Sequence, residues 1–365
     1  MRVAHLLKHF EPGGIEKWLV DLTAVNHKCG HKLQMDFIMQ TTDEAFFDVD
    51  IVQNGGNLIK LDYLHLGLFR YLYSLYKIFK SNKYDVVHSH FYHFSGLILF
   101  VAWLAGIKVR VSHCHNDKSI QNKESKLFKK LYLTVCVILN EIFSNKKIAV
   151  SQQAADSLFL KNSNVAIIPC GLIFSNDHVM PQDLIKNNGE IVLLNVGSYS
   201  FQKNHDYILK LAKKLKECGV KFKVYLIGAG EGWEILEKQS LEMDISDSVI
   251  FLGKRKDVHA IMKYIADFFI FPSRFEGLGL AAIESQYYGV RTLVSDTLPN
   301  DLNVSNYIKR LPIDDLSIDL WIEQVKNPIT ISENDIQACQ QRILSSNFSV
   351  EINLSSILSV YGFER

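Results

Sequence analysis

The sequence predicts an α/β protein built of two doubly wound parallel sheets, and three observations predict it. Short aliphatic and β-branched runs recur along all 365 residues, longer amphipathic stretches separate them, and a polar, turn-rich segment divides the series near its middle. Continuous apolar runs alternating with helices describe parallel strands covered on both faces. Repeated in each half of a chain too long for one ordinary domain, the alternation gives two Rossmann-like domains.

In the first half the strand-like runs are "RVAHLL", "QMDFIM", "YDVVHSH", "KVRVSHCH", "KKIAVS" and "NVAIIP". In the second they are "EIVLLNVGS", "KFKVYLIGAG", "SVIFLG", "ADFFIFPS" and "GVRTLVS". Between them "IEKWLVDLTAVNHKCG" and "HDYILKLAKKLKECG" place apolar residues three or four apart and stop at Gly30 and Gly219, as helices do. The run "FSGLILFVAWLAGI" has about 14 residues where a membrane span needs about 20, so it reads as a buried core helix. The segment from Gly171 to Glu190 has the weakest pattern and reads as the linker. The closing "FSVEINLSSILSVYGFER" reads as a surface helix.

Composition narrows the partners. Hydrophobic residues make up 48% and charged residues 22%, as in soluble globular proteins, and a net charge of +1 argues against a nucleic-acid binder. Through Ile173 the chain carries 20 Lys and Arg against 14 Asp and Glu, and beyond it 20 against 25, so the halves differ in sign. Six scattered cysteines with no C-x-x-C pair, and an N-terminus without the apolar core of a signal peptide, lead us to expect a cytoplasmic protein.

Four stretches carry chemistry. In "FEPGGIEKW", Gly13 and Gly14 precede a helix, either as a tight turn or as a place where backbone amides approach an anion. In "NVGSYSFQKNHDYI", Gly197 ends a strand and Lys203 stands six residues on, solvated or paired with a phosphate. Histidines cluster in "HSHFYH" (His88, His90, His93) and "SHCHND" (His113, His115), where metal ligands, contacts to a hydroxylated substrate and structural histidines are all open. The fourth is "RFEGLGLAAIES", which sets Glu276 and Glu284 eight residues apart in an apolar setting. A helix beginning just after Glu276 would aim the amides of Gly277, Leu278, Gly279 and Leu280 at a ligand, with the two carboxylates about two turns apart. Helix capping and a paired-acid glycosidase are the other readings.

Together "GGIEK", "DVVHSH", "VRVSHCHN", "VAIIPCG", "VGSYSFQKNHDYIL", "LIGAGEG", "IFLGKRKDV" and "FPSRFEGLGLAAIES" resemble the family 4 retaining glycosyltransferases, and "SHCHN" with "EGLGLAAIESQ" is most similar to those of bacterial capsule and exopolysaccharide synthesis. The resemblance implies the GT-B architecture: an acceptor-side domain over residues 1–175, rejoined by the helix 348–365, and a nucleotide-sugar domain over 176–347. It implies transfer of a hexose or N-acetylhexosamine from a nucleotide diphosphate sugar to a saccharide or lipid-linked acceptor, with retention and no protein-bound metal or cofactor. UDP-sugars are expected over GDP-sugars.

On that resemblance Gly13 and Gly14 approach the diphosphate, His115 faces the donor sugar and Lys203 pairs with phosphate. Glu276 with Gly277 to Gly279 holds the sugar hydroxyls, Glu284 the ribose, and Gly197 and Gly228 end strands beside the donor. Lys254, Arg255 and Lys256 line the base, and His90, His113 and Asn116 lie on the acceptor side. The departure is Ser198, where the family has an arginine. It motivates one alternative, a non-catalytic subunit, and an epimerase on the same scaffold is the other. Helices over "LFRYLYSLYKIFKSNK" and "KSIQNKESKLFKKLYL" mix lysine with aromatic residues and suit either internal packing or an anionic membrane surface.

Overall fold

The computed structural model describes residues 1–30, 33–116 and 127–363, with 127–130 by backbone alone. The helix expected over "KSIQNKESKLFKKLYL" lies mostly outside the described residues, which resume at Leu127. The chain divides into two compact units, one of Met1–Ile173 with Ser346–Arg365 and one of Phe174–Ser345.

The first unit carries strands β1 (Arg2–Leu7), β2 (Gln34–Met39), β3 (Asn57–Lys60), β4 (Val86–Ser89), β5 (Val109–Cys114), β6 (Lys146–Ala149) and β7 (Ala166–Ile167). They form one parallel sheet in the order β3-β2-β1-β4-β5-β6-β7. Its helices are α1 (Gly14–Lys28), α2 (Asp48–Gln53), α3 (Tyr63–Asn82), α4 (Ser95–Leu104), α5 (Leu127–Phe143), α6 (Gln152–Leu158) and, after the second unit, the returning C-terminal helix. The apolar α4 is the buried helix expected from its composition: Ile98, Leu99 and Ala102 pack with Leu6, Val87 and Phe79 in the core.

The second unit has β8 (Ile191–Val196), β9 (Phe222–Ile227), β10 (Val249–Gly253), β11 (Phe268–Phe271), β12 (Arg291–Ser295) and β13 (Ile308–Leu311), parallel in the order β10-β9-β8-β11-β12-β13. Around them lie α7 (His205–Glu217), α8 (Trp233–Glu242), α9 (Val258–Tyr264), α10 (Leu280–Tyr287), α11 (Ile318–Lys326) and α12 (Glu333–Leu344). Leu193, Leu226, Ile270, Leu293 and Trp321 make the core. Both sheets reverse winding direction beside their first strand, so each has a switch point at its carboxyl edge, where open α/β sheets bind ligands.

The C-terminal helix α13 (Val350–Val360) returns to the first unit. Backbone bonds join Leu172 N to Phe348 O at 2.8 Å and Val350 N to Leu172 O at 3.3 Å. Asn353 locks the helix down: it accepts from Trp18 Nε1 at 2.7 Å and donates to Pro169 O at 2.6 Å. No described helix is long and apolar enough to cross a membrane.

Candidate functional site

In the second unit two loops meet at the carboxyl ends of β8 and β11. After β8 a short turn over Phe201–Lys203 precedes α7, and Asn204 donates to Pro272 O at 3.0 Å, tying that turn to the exit of β11. Lys203 Nζ then reaches Glu276 Oε1 at 2.7 Å, and Gln202 Nε2 donates to Oε2 at 3.0 Å. The ammonium also stands 4.6 Å from the Phe271 ring centre, over its face. With side chains 17% and 7% exposed, the pair is largely withdrawn from water, where its attraction is stronger than at a surface.

Glycine makes this packing possible. A Cβ on Gly197 would stand 3.0 Å from Lys203 Cε, so the lysine stem lies directly along that backbone. Gly228, at φ +153°, brings the loop after β9 so close that a Cβ would fall 2.0 Å from Gly197 O.

The segment after β11 differs from the sequence reading. The helix begins at Leu280, not after Glu276, because Gly279 sits in the left-handed region at φ 94° and breaks the helical path. Gly277 and Leu278 therefore belong to a loop, and only Leu280 of the four expected residues lies in the first helical turn. Glu284, on α10, accepts from His259 Nε2 at 2.9 Å, both side chains being mostly buried. Arg255 donates twice to Asp257, at 2.8 and 2.7 Å, and twice to Asp183, at 2.5 and 3.0 Å. These two carboxylates raise the guanidinium pKa, so Arg255 is already clamped, while Lys254 and Lys256 beside it are exposed. Ser198 is exposed, its hydroxyl 3.3 Å from that of Ser200.

In the first unit Gly13 caps α1 in an extended conformation, and the Glu16 carboxyl folds back over it, within 2.2 Å of where a Gly13 Cβ would stand. Desolvation pushes that carboxyl up to about 7, opposed by its bond to its own backbone amide.

Beneath the carboxyl edge of β1, β4 and β5 lie His5, His88, His90, His113 and His115, all buried. His5, which lies within the strand-like run "RVAHLL", pairs with His88 across β1 and β4. One chain of contacts runs from His5 Nδ1 to His90 Nε2 at 3.1 Å, from His90 Nδ1 to His115 Nε2 at 2.9 Å, and from His115 Nδ1 to Cys170 Sγ at 3.5 Å. A second runs from Tyr361 Oη to His88 Nδ1 at 2.7 Å and from His88 Nε2 to His113 Nδ1 at 3.0 Å. Trp18 covers the array, its ring centre 5.2 Å from that of His113 and 5.6 Å from that of His115. Burial keeps these rings neutral, with His5 and His115 pulled down to about 3. His90, His113 and His115 thus meet in one packed set, and Asn116 follows them, half-buried, its carbonyl accepting from Ser157 Oγ at 3.2 Å. His93 stands apart against the Tyr92 ring.

Two family profiles divide the chain between them: Glycosyltransferase Family 4 matches residues 12–173 and Glycosyl transferases group 1 matches residues 177–335. A Bacillus subtilis protein named as glycosyltransferase EpsF is 25% identical, with 99% of this chain and 96% of that one aligned. The capsular polysaccharide biosynthesis glycosyltransferase CapH of Staphylococcus aureus is 23% identical over 99% of this chain and 98% of its own. The Escherichia coli UDP-Gal:alpha-D-GlcNAc-diphosphoundecaprenol alpha-1,3-galactosyltransferase is 26% identical over 80% and 78%. Among solved structures, HepE of Anabaena in complex with UDP and glucose superposes with a TM-score of 0.77 at 15% identity, covering 99% of both chains. That likeness shows the fold alone, which is the GT-B class.

Proposed function

The chain belongs to the family 4 glycosyltransferases, with the group 1 module in its second unit, and on that premise we propose that it moves a hexose or N-acetylhexosamine from a UDP-sugar to a saccharide or lipid-linked saccharide in bacterial surface polysaccharide synthesis. The capsular and diphosphoundecaprenol-directed activities named for its relatives support that substrate class. Transfer proceeds with retention, and neither a cofactor nor a protein-bound metal takes part at the diphosphate.

The observation that carries this reading is the buried Lys203–Glu276 pair, steadied by Gln202, at the glycine-lined carboxyl edge of β8 and β11. A departing nucleoside diphosphate gathers negative charge, and a preorganised cation in a water-poor site stabilises it more than water would. Lys203 supplies that cation, and Glu276 holds it in place while offering carboxylate oxygens to sugar hydroxyls. The start of α10 adds a helix N-terminus, which favours anions. Glu284, oriented by His259, is the ribose contact. Lys254 and Lys256 flank the base, and Arg255 braces their loop. With no nucleophile assigned on the opposite face of the sugar, the displacement occurs on the leaving-group face, assisted by the departing phosphate.

The acceptor brings the membrane into the reading. On α5 the side chains of Leu131, Tyr132, Val135, Ile138 and Ile142 are exposed, and on α3 so are Leu64, Phe69 and Tyr73 with Arg70, Lys77 and Lys80 nearby. Each basic residue near an anionic leaflet adds about 1 kcal/mol. Binding to anionic liposomes should weaken as salt rises, and absence of binding at every salt concentration removes the membrane contact.

The deciding experiment incubates the protein with UDP- and GDP-sugars, with and without a lipid-linked saccharide. Acceptor-dependent release of UDP with an α-linked product is expected from an α-linked donor. Donor interconversion without acceptor would make the protein an epimerase, and inertness toward every donor would make it a non-catalytic subunit.

A further inference from the structure

We propose that His90, His113 and His115 bind one divalent transition-metal ion of nitrogen preference, such as zinc. One nitrogen from each of these rings lies within 4.8 Å of those of the other two. The ion would serve the packing of the first unit and is separate from the leaving-group chemistry assigned to Lys203.

A neutral imidazole has one N–H and one lone pair, so each of the two histidine chains must run in a single direction. Whichever direction is taken, each ends on a buried nitrogen without a partner among the described residues, His5 Nε2 in the first chain and His113 Nε2 in the second. A buried polar group left in that state is unfavourable. A cation changes the count at His113. Its orphaned nitrogen becomes a ligand beside His90 Nδ1 and His115 Nε2, whose present separation of 2.9 Å needs to open by only about half an ångström for a tetrahedral ion.

Each ligand's remaining nitrogen then finds an acceptor already in place. His90 Nε2–H donates to His5 Nδ1, His113 Nδ1–H to His88 Nε2, and His115 Nδ1–H to Cys170 Sγ. His88 in turn passes its other N–H to Tyr361 Oη. Metal-bound histidines are held in this way, by a second ring nitrogen fixed to a buried acceptor, and the ion sets every tautomer that the ring contacts alone leave free. In the alternative group, His5, His88 and His90, ligation by His88 would break a bond to Tyr361 or His113, neither of them a ligand there, whereas the one bond given up in the chosen group joins two of its own ligands, His90 and His115. Imidazole donors select zinc, cobalt or nickel over magnesium or calcium. Three protein ligands leave a fourth position for water.

The test uses the full chain after chelation and dialysis, titrated with cobalt chloride and followed by visible absorption. One equivalent should produce the bands of a four-coordinate cobalt, and zinc should abolish them. His113→Ala should weaken cobalt binding by about 100-fold, the loss expected when a site loses a ligand or its support. His65→Ala, whose ring is 88% exposed, should bind as the unaltered protein does. If His113→Ala fails to fold by circular dichroism, His115→Ala at the rim of the array replaces it, with the same loss expected. No bands at one equivalent in the unaltered protein, or bands that persist in either folded variant, overturns the site. Because no donor or acceptor enters the assay, its failure leaves the transferase reading standing.

Discussion

The two units wind their sheets alike and treat charge at the carboxyl edge in opposite ways. The first gathers five imidazoles under Trp18 and keeps them neutral by burial. The second retains full charges and compensates them, Lys203 with Glu276 away from water and Arg255 with the more exposed Asp183 and Asp257. Burying an ion is costly unless a partner compensates it, and neutralising it avoids the cost altogether. Only the second solution leaves a cation ready to meet a diphosphate. Catalysis should therefore be sensitive at the charged edge and folding at the neutral one.

The largest effect should come from the charged edge. Lys203→Met keeps the stem along Gly197 and removes the ammonium, so kcat/KM should fall by about 100-fold, the loss typical of a single group stabilising the developing charge. Far-UV circular dichroism should be unchanged. Near-normal transfer by a folded variant would end the assignment of Lys203 and break the contrast between the units.

The neutral edge should answer in stability. Asn353→Ala strands the Trp18 indole N–H and the Pro169 carbonyl, both met by one side chain that is fully buried. Leaving such groups unsatisfied costs about 1 to 3 kcal/mol each, so we expect roughly 2 to 6 kcal/mol lost in urea unfolding, with the returning helix freed from its seat. An unchanged midpoint would show that α13 is held by its apolar contacts alone.

A smaller effect carries a pH signature. The Glu16 carboxyl titrates near 7 in the folded chain, against 4.5 for a free one, so between these values the native state holds a proton that the unfolded state has released. Its contribution to stability therefore falls as pH rises from about 4.5 to about 7 and is level above. Glu16→Gln should match the parent near pH 4.5 and exceed it at pH 8, by on the order of 1 kcal/mol after allowance for partial exposure. A difference that is the same at both pH values would refute the shift. In the second unit buried His205, pulled down to about 3 first by desolvation and then by Lys203, has the opposite sign and loses stability as pH falls below about 6.5.

Much of this was legible in the sequence, and the omissions have physical reasons. Core strands such as β1 and β2 announce themselves because both faces are covered and most of their residues are apolar. The edge strands β3 and β13 were missed, since an edge buries less and "NLIK" and "IKRL" show no continuous run. Lys203 and Glu276 stood out by their motifs, but Gln202 looked like a loop residue because its partner is 74 positions away. Arg255 was read as a base contact because Asp183, 72 positions off, could not be seen to clamp it. The start of α10 was misplaced because a left-handed glycine is a property of the backbone that "EGLGLAAIES" does not display. His5 was hidden by its neighbours, and the available signal was a polar residue centred in an apolar strand.

The mildest change refines the charged edge. Ser198 occupies the loop after β8, is exposed, and touches only the Ser200 hydroxyl among the described contacts, so a longer side chain meets no packing obstacle. Lys203 shares its charge with Glu276, which leaves the site with less positive potential than an unpaired cation would give. Ser198→Arg adds a planar guanidinium able to take two phosphate oxygens at once. UDP should bind up to about tenfold more tightly, the worth of one charge-assisted contact at a partly exposed site, with steeper salt dependence and a lower KM for the donor, while kcat changes less. Calorimetry with UDP at two ionic strengths measures it. Weaker binding would mean that the existing ion pairs already satisfy the diphosphate and that a further cation there is a competitor for Glu276.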